Sequence, residues 1–204
     1  MNIINNSMHK QIVLASSSKS RSKILKNAGI HFFQINPLCD EEAIKKRIKS
    51  KKNKPKQYVK KLSFEKAKSI SVLKKFKKET VVGCDTIIIY NKKIFDKANN
   101  MTEAKNKIKL LSGKKHKIIS ALTICENGKK IWQCEETTHV KIRKMNSKQI
   151  STYLNKTGKK ILDSVGCYQI ESFGPTIIEN IDGDFFNVMG LPLFKLINYL
   201  LKNK

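Results

Sequence analysis

Residues 12–36 read IVLASSSKSRSKILKNAGIHFFQIN, and this stretch sets the class of fold. Ile12 to Ser16 is a short apolar run of the kind that forms a buried strand. Ile24, Leu25 and Ala28 then share one helical face, with Ser18 placed to cap the helix and Gly29 to stop it. His31 to Asn36 is a second apolar run, ended by Pro37. Strand, helix and strand in that order predict an α/β protein. The junction of the first strand and the helix carries Ser16, Ser18 and Arg21. A helix N-terminus there offers N–H groups and positive potential to an anion, and open α/β sheets bind ligands at such strand ends. An ordinary serine-capped helix has the same sequence signature. No G-x-x-x-x-G-K-[ST] or G-x-G-x-x-G occurs, so a phosphate held here is not held by a P-loop.

Beyond Pro37 the chain makes an acidic point, Asp40-Glu41-Glu42, followed by the run Lys45 to Lys61 with ten Lys/Arg in seventeen residues. Pro55 suits the first turn of a helix, and Val59, Leu62, Ala67, Ile70 and Leu73 follow helical spacing, with Lys66 at the edge of the apolar stripe. TVVGCDTIIIY (residues 80–90) is β-branched enough for a buried strand, interrupted at Asp85. Thr102 is expected to cap a helix through Leu111 that stops at Ser112-Gly113. Residues 116–125 and 130–143 read as strands joined at Glu126-Asn127-Gly128, a hairpin signal. Residues 145–158 form a helix ended by Gly158, and the last forty are irregular until Pro192 opens a final helix. Residues 1–204 are thus expected to form a single α/β domain with an antiparallel insertion.

Composition narrows the function. The chain has 204 residues, 42 Lys+Arg against 16 Asp+Glu and a formal charge of +26, which points to an anionic partner. At 40% hydrophobic content it is a folded protein and not a basic disordered tail. Only Arg21, Arg47 and Arg143 are arginine, and nucleic-acid readout favours Arg and stacking aromatics over Lys. A non-catalytic nucleic-acid binder is therefore the alternative, not the first reading. Residues 1–13 lack the apolar core of a leader peptide, and no stretch reaches the roughly 18 apolar residues of a membrane span. Five cysteines without a C-x-x-C pair give no structural zinc site and suit a cytoplasmic protein with free thiols.

Asp85 is the clearest chemical anomaly, because burying a carboxylate among apolar residues costs several kcal/mol without partners. It is either a satisfied structural residue, or a metal ligand or general base. Glu41, Lys66, Lys97 and Glu171 are the further candidates. Two or three carboxylates with Lys or Arg suit Mg²⁺ or Mn²⁺ phosphate chemistry, since hard cations take oxygen ligands.

These signals fall in the order of one family. LASSSKSRSKILKNAGI resembles the opening of the Maf nucleotide pyrophosphatases, close to LASxSPRRxxLLxxxGI. CDEE, LSFEKA, GCDTIIIY, FDKA, LSGKKH, SVGCYQIESFG and NVMGLPL continue the likeness along nearly the whole chain. The resemblance implies a fold like that of the inosine triphosphate pyrophosphatases: a mixed twisted sheet with flanking helices, in two lobes around a cleft. It also implies a cytoplasmic homodimer that hydrolyses nucleoside triphosphates to monophosphate and diphosphate with a divalent metal, Mg or Mn. On this pattern Asp85 is the proton acceptor and Glu41, Lys66 and Lys97 are the catalytic charged set. Ser16 and Arg21 match its phosphate-binding turn. The chemistry then leads us to expect Ser16, Ser18, Arg21, Lys66 and Lys97 to hold phosphate, and Asp85 and Glu41, with Glu171, to hold the metal. Ser20, Thr86 and Glu171 stand at the specificity positions. Ser20 replaces the first Arg of SPRR, Lys97 lacks its usual following Pro, and Glu171 stands where the dTTP/UTP branch has Gln. With Ser120-Ala121 in place of that branch's Thr-Gly, the chain looks closer to the 7-methyl-GTP branch, and a dTTP/UTP enzyme is the alternative.

Overall fold

The computed structural model describes residues 10–50 and 54–203, apart from the side chains of residues 49 and 50. Residues 1–9, which carry most of the stretch read as no leader, and residues 51–53 of the basic run lie outside the described residues.

β1 (Ile12–Ala15), α1 (Lys19–Asn27) and β2 (Phe32–Ile35) follow in the expected order. β1 pairs parallel with β2, Ile12 opposite Phe32. Ser18 caps α1 by accepting from the Arg21 amide, and Gly29 ends the turn at φ 70°. α2 (Glu41–Ser50) and α3 (Pro55–Ser71) lead to β3 (Thr80–Tyr90), which pairs parallel with β1 and then antiparallel with β4 (Lys93–Phe95). α4 (Met101–Leu111) precedes the hairpin of β5 (Lys115–Glu126) and β6 (Lys129–Ile142). Asn127 and Gly128, at φ 47° and 74°, occupy the left-handed region that the two-residue hairpin turn requires. α5 (Ser147–Thr157), α6 (Gly174–Ile177), β7 (Ile178–Asp182), α7 (Phe185–Val188) and α8 (Leu193–Lys202) complete the chain. The strands form a mixed seven-stranded sheet in the order β2-β1-β3-β5-β6-β7, with β4 on β3. The expected α/β class and mixed sheet with flanking helices are therefore present.

The fold comprises two compact units. The first takes the chain up to Thr86, Ser120–Glu136 and the chain from Gly190. Its core includes Val13 and Ala15 of β1, Val81 of β3, and Ala67 and Ile70 of α3. The second takes Ile87–Ile119 and Thr137–Met189. It gathers Ile108 and Leu111 of α4, Val140 and Ile142 of β6, and Ile150 and Leu154 of α5 with Tyr168 and Ile177.

Two local expectations are corrected. α4 is capped by Asn100, not Thr102: the Asn100 side chain accepts from the Glu103 amide at 2.9 Å, so the helix begins at Met101. β7 lies within the stretch expected to be irregular. Five residues following a glycine and a proline give little local strand signal, and its pairing with β6 supplies the stability. The described part of the Lys45–Lys61 run lies mainly in α2 and α3, with most of its basic residues at the surface.

His116 on β5 is buried in the second unit, its Nε2 2.6 Å from the Tyr168 hydroxyl. Its Nδ1 has no hydrogen-bond partner among the described residues. Burial drives its pKa down to about 4. Between that value and its ordinary pKa the unfolded chain binds a proton that the folded chain refuses, so stability falls as pH falls through this window. The loss reaches about 3 kcal/mol. Thermal unfolding from pH 7 to pH 4 should show a smaller fall in Tm for His116→Gln than for the wild type. Equal slopes would mean that His116 is not the source.

Candidate active site

The site grows from one close approach. A Cβ built on Gly83 of β3 would sit 2.2 Å from the Ser63 carbonyl oxygen and 2.6 Å from the Ala67 nitrogen. Only glycine lets α3 lie this near the strand. Ser63, Lys66, Ala67 and Ile70 are three, four and seven residues apart, so they share the helix face that meets the sheet. Ser63 Oγ lies 2.7 Å from Thr123 Oγ1, and Gln133 Nε2 donates to Thr123 Oγ1 and to the Lys60 carbonyl. These bonds pin α3 to β5 and β6.

Residues two apart on a strand face the same side, so Asp85 points the way a side chain on Gly83 would, toward α3. There Lys66 Nζ donates to Asp85 Oδ1 at 2.8 Å and lies 2.9 Å from Glu41 Oε2. Asp85 and Lys66 are buried, at 8% and 7% exposure, whereas Glu41 is half-buried. Glu41 opens α2, where Asp40 caps the helix by accepting from the Ala43 amide, and an acidic residue is favoured in a first turn. Burial pulls the Lys66 pKa down. The Asp85 and Glu41 charges and the Asp85 hydrogen bond overcome that pull and the opposing charge of Arg21, leaving the pKa above the usual lysine value. Lys66 is therefore a fixed positive charge at neutral pH.

On β3, Cys84 and Thr86 face away from Asp85, and a second polar cluster meets them. Arg21 Nε donates to the Gly190 carbonyl at 2.8 Å, and Nη1 donates to the Cys84 carbonyl at 2.9 Å and to Ser16 Oγ at 3.2 Å. Nη2 donates to Thr86 Oγ1 at 3.1 Å. Thr86 Oγ1 is also 2.8 Å from Ser120 Oγ. Ser16 Oγ accepts the Ser18 amide as well, and Gln34 Nε2 braces the turn by donating to the carbonyls of Ser16 and Ser18.

The structure thus brings Asp85, Glu41 and Lys66 together, and groups Ser16, Ser18, Arg21 and Thr86 around the same strand. Ser20 is half-buried in the first turn of α1. Lys97, exposed after β4, and Glu171, half-buried before α6, belong to the second unit. The sequence reading did not single out Gly83, Gln34 or Gly190. The glycines of GCD and MGL were the available signals, since a lone glycine in a strand often marks close backbone approach.

A family model described as Maf-like protein matches residues 11–203. Named relatives cover nearly all of the chain. A 7-methyl-GTP pyrophosphatase of Bartonella quintana is 40% identical over 93% of this chain and 94% of its own length. A 7-methyl-GTP pyrophosphatase of Bartonella henselae is 38% identical over 91% and 92%. A nucleoside triphosphate pyrophosphatase of Caulobacter vibrioides is 33% identical over 93% and 94%.

Removing the Lys66 charge strands a buried carboxylate. Lys66→Met should cost about 3 kcal/mol in urea unfolding, the scale for breaking a buried pair. Glu41→Gln, whose partner keeps Asp85, should cost under about 1 kcal/mol. Adding Asp85→Asn to Lys66→Met should recover part of the loss. Equal effects of Lys66→Met and Glu41→Gln would contradict the buried-pair account.

Proposed function

This chain belongs to the Maf family, and from that premise we propose that it hydrolyses nucleoside triphosphates to the monophosphate and diphosphate, with 7-methyl-GTP as its base-modified substrate. The observation that carries the reading is the Lys66 ammonium set between the Asp85 and Glu41 carboxylates. Water attacks the α-phosphorus, the α–β anhydride bond breaks, and diphosphate leaves. Such a reaction asks mainly for positioning and charge neutralisation. Lys66 neutralises phosphate charge, and Lys97 is assigned the same task. The Ser16–Ser18 turn and the N-terminus of α1 receive a phosphate group. Asp85 accepts the proton of the attacking water.

The Asp85 and Glu41 carboxylates both reach the Lys66 ammonium, which holds the point between them, and among the described residues no group of three or more His, Cys, Asp or Glu could hold a metal ion. A divalent cation is therefore proposed to bind here only together with substrate phosphate. Mg²⁺ is commonly held by one or two carboxylates plus substrate phosphates. Asp85 and Glu41 would hold Mg²⁺ or Mn²⁺ with the substrate phosphates, and Glu171 is proposed as a further ligand. Bound there, the cation would lower the pKa of water and offset phosphate charge.

For the base, Glu171 accepts hydrogen bonds from the N1–H and N2 amino edge of a guanine, while Ser20 and Thr86 are the other specificity positions. Among the described residues no helix is long and apolar enough to cross a membrane. All five cysteines are free thiols, which suits the proposed cytoplasmic setting.

Pyrophosphate release should occur with Mg²⁺ or Mn²⁺, stop in EDTA, and fall by about a hundredfold or more in Asp85→Asn. Near wild-type turnover of that variant rules out Asp85 as the base, and no release from any triphosphate favours the nucleic-acid-binding alternative. Across 7-methyl-GTP, GTP, dTTP, UTP and CTP, kcat/KM should be highest for 7-methyl-GTP; a preference for dTTP and UTP overturns the base assignment. Light scattering should give the mass of a homodimer, and a monomer mass at working concentration removes that element.

A further inference from the structure

Arg21 was expected to hold phosphate, yet the residue is only 9% exposed and its guanidinium is turned onto protein acceptors. Two of these flank Asp85 in the chain: Nη1 holds the Cys84 carbonyl at 2.9 Å and Nη2 holds the Thr86 hydroxyl at 3.1 Å. Nε holds the Gly190 carbonyl, which also accepts from Cys84 Sγ at 3.1 Å and from Thr86 Oγ1 at 3.2 Å. The planar fork of Arg suits several fixed acceptors at once, which the point charge of Lys does not. Gly190 is at φ 92°, and a Cβ there would lie 3.3 Å from Thr86 Oγ1 and 3.7 Å from the Arg21 guanidinium, so the carbonyl is delivered by a conformation that glycine alone adopts readily. β3 is thus gripped from one side by Arg21 and Gly190, while α3 closes on Gly83 from the other and brings Lys66 to Asp85.

We propose that Arg21 is a positioning residue that fixes Asp85 by clamping Cys84 and Thr86 from the opposite side of β3, and that it is not a phosphate ligand. The Cys84 carbonyl before Asp85 and the Thr86 hydroxyl after it are both held, so the carboxylate is aimed without Arg21 touching it. A loosened strand misplaces the base and leaves the affinity for phosphate intact. This inference rests on the proposed hydrolase reading for its kinetic arm only.

The test compares Arg21→Lys, Arg21→Gln and Thr86→Val with the wild type. Lys keeps the charge but not the fork, Gln removes both, and Val removes one arm of the clamp and no charge. Positioning predicts that kcat falls about a hundredfold in both Arg21 variants, the scale for an ångström of misplacement. KM, and the calorimetric Kd for inorganic pyrophosphate, should stay within about twofold. Thr86→Val should move kcat the same way by less, and it keeps the test decisive if the Arg21 variants do not fold. Native-state hydrogen exchange should show lost protection confined to Cys84–Thr86. The proposal is overturned if Arg21→Lys retains near wild-type kcat, or if Arg21→Gln weakens pyrophosphate binding tenfold or more with protection unchanged. If the wild type turns over no triphosphate, the hydrolase reading fails, and hydrogen exchange alone decides: local loss at Cys84–Thr86 supports the clamp, and unchanged protection overturns it.

Discussion

A carboxylate in the interior of a strand has to be matched by a cation, and in this protein that requirement organises everything around Asp85. Its Oδ1 is 2.8 Å from the Lys66 ammonium, which also lies 2.9 Å from Glu41. The desolvation of two charges is costly, and their attraction offsets it only when the geometry is good and other hydrogen bonds are satisfied. An ion pair replaced by apolar residues would serve a purely structural strand as well or better. Retaining it makes sense where the charges have chemical work, and perturbed ionisable groups cluster at functional sites.

Two glycines make that pairing possible by different means. Gly83 has no side chain, and α3 uses the space, so the helix that carries Lys66 lies close against the strand that carries Asp85. Gly190 contributes a carbonyl from a backbone conformation that L side chains rarely adopt, and Arg21, Cys84 and Thr86 all donate to it. The site is therefore built as much from backbone as from charged side chains. Hydrogen bonds among neutral groups, such as those of Ser63, Thr123 and Gln133, then hold α3 against the sheet.

The legible parts of the sequence were those whose signal is local. The β-branching of residues 80–90 marked a strand, and the carboxylate within it marked the anomaly. Lys66 stood out at the margin of an apolar stripe because helical spacing puts it on the buried face, and it is buried. The hairpin turn was readable because a type I′ turn needs two positive φ angles and Asn-Gly supplies them. β7 was not readable, since its stability comes from pairing with β6, dozens of residues earlier. Nor was the exact start of α4, where Asn100 and Thr102 are both acceptable caps and only the backbone conformation distinguishes them.

By itself the sequence determined the α/β class, the order of most elements and the residues with unusual chemistry, because hydrophobic period, capping and turn preference act over a few residues. The likeness along nearly the whole chain also placed the protein in its family. The tertiary structure alone decided that Glu41, Lys66 and Asp85 converge, since residues 25 and 19 apart in sequence meet only when two helices have packed on the strand. It also decided which way Arg21 points. An arginine at a strand–helix turn has a basic side chain that reaches either a ligand or the protein interior, and the three-dimensional arrangement of the Cys84, Thr86 and Gly190 acceptors directs it inward.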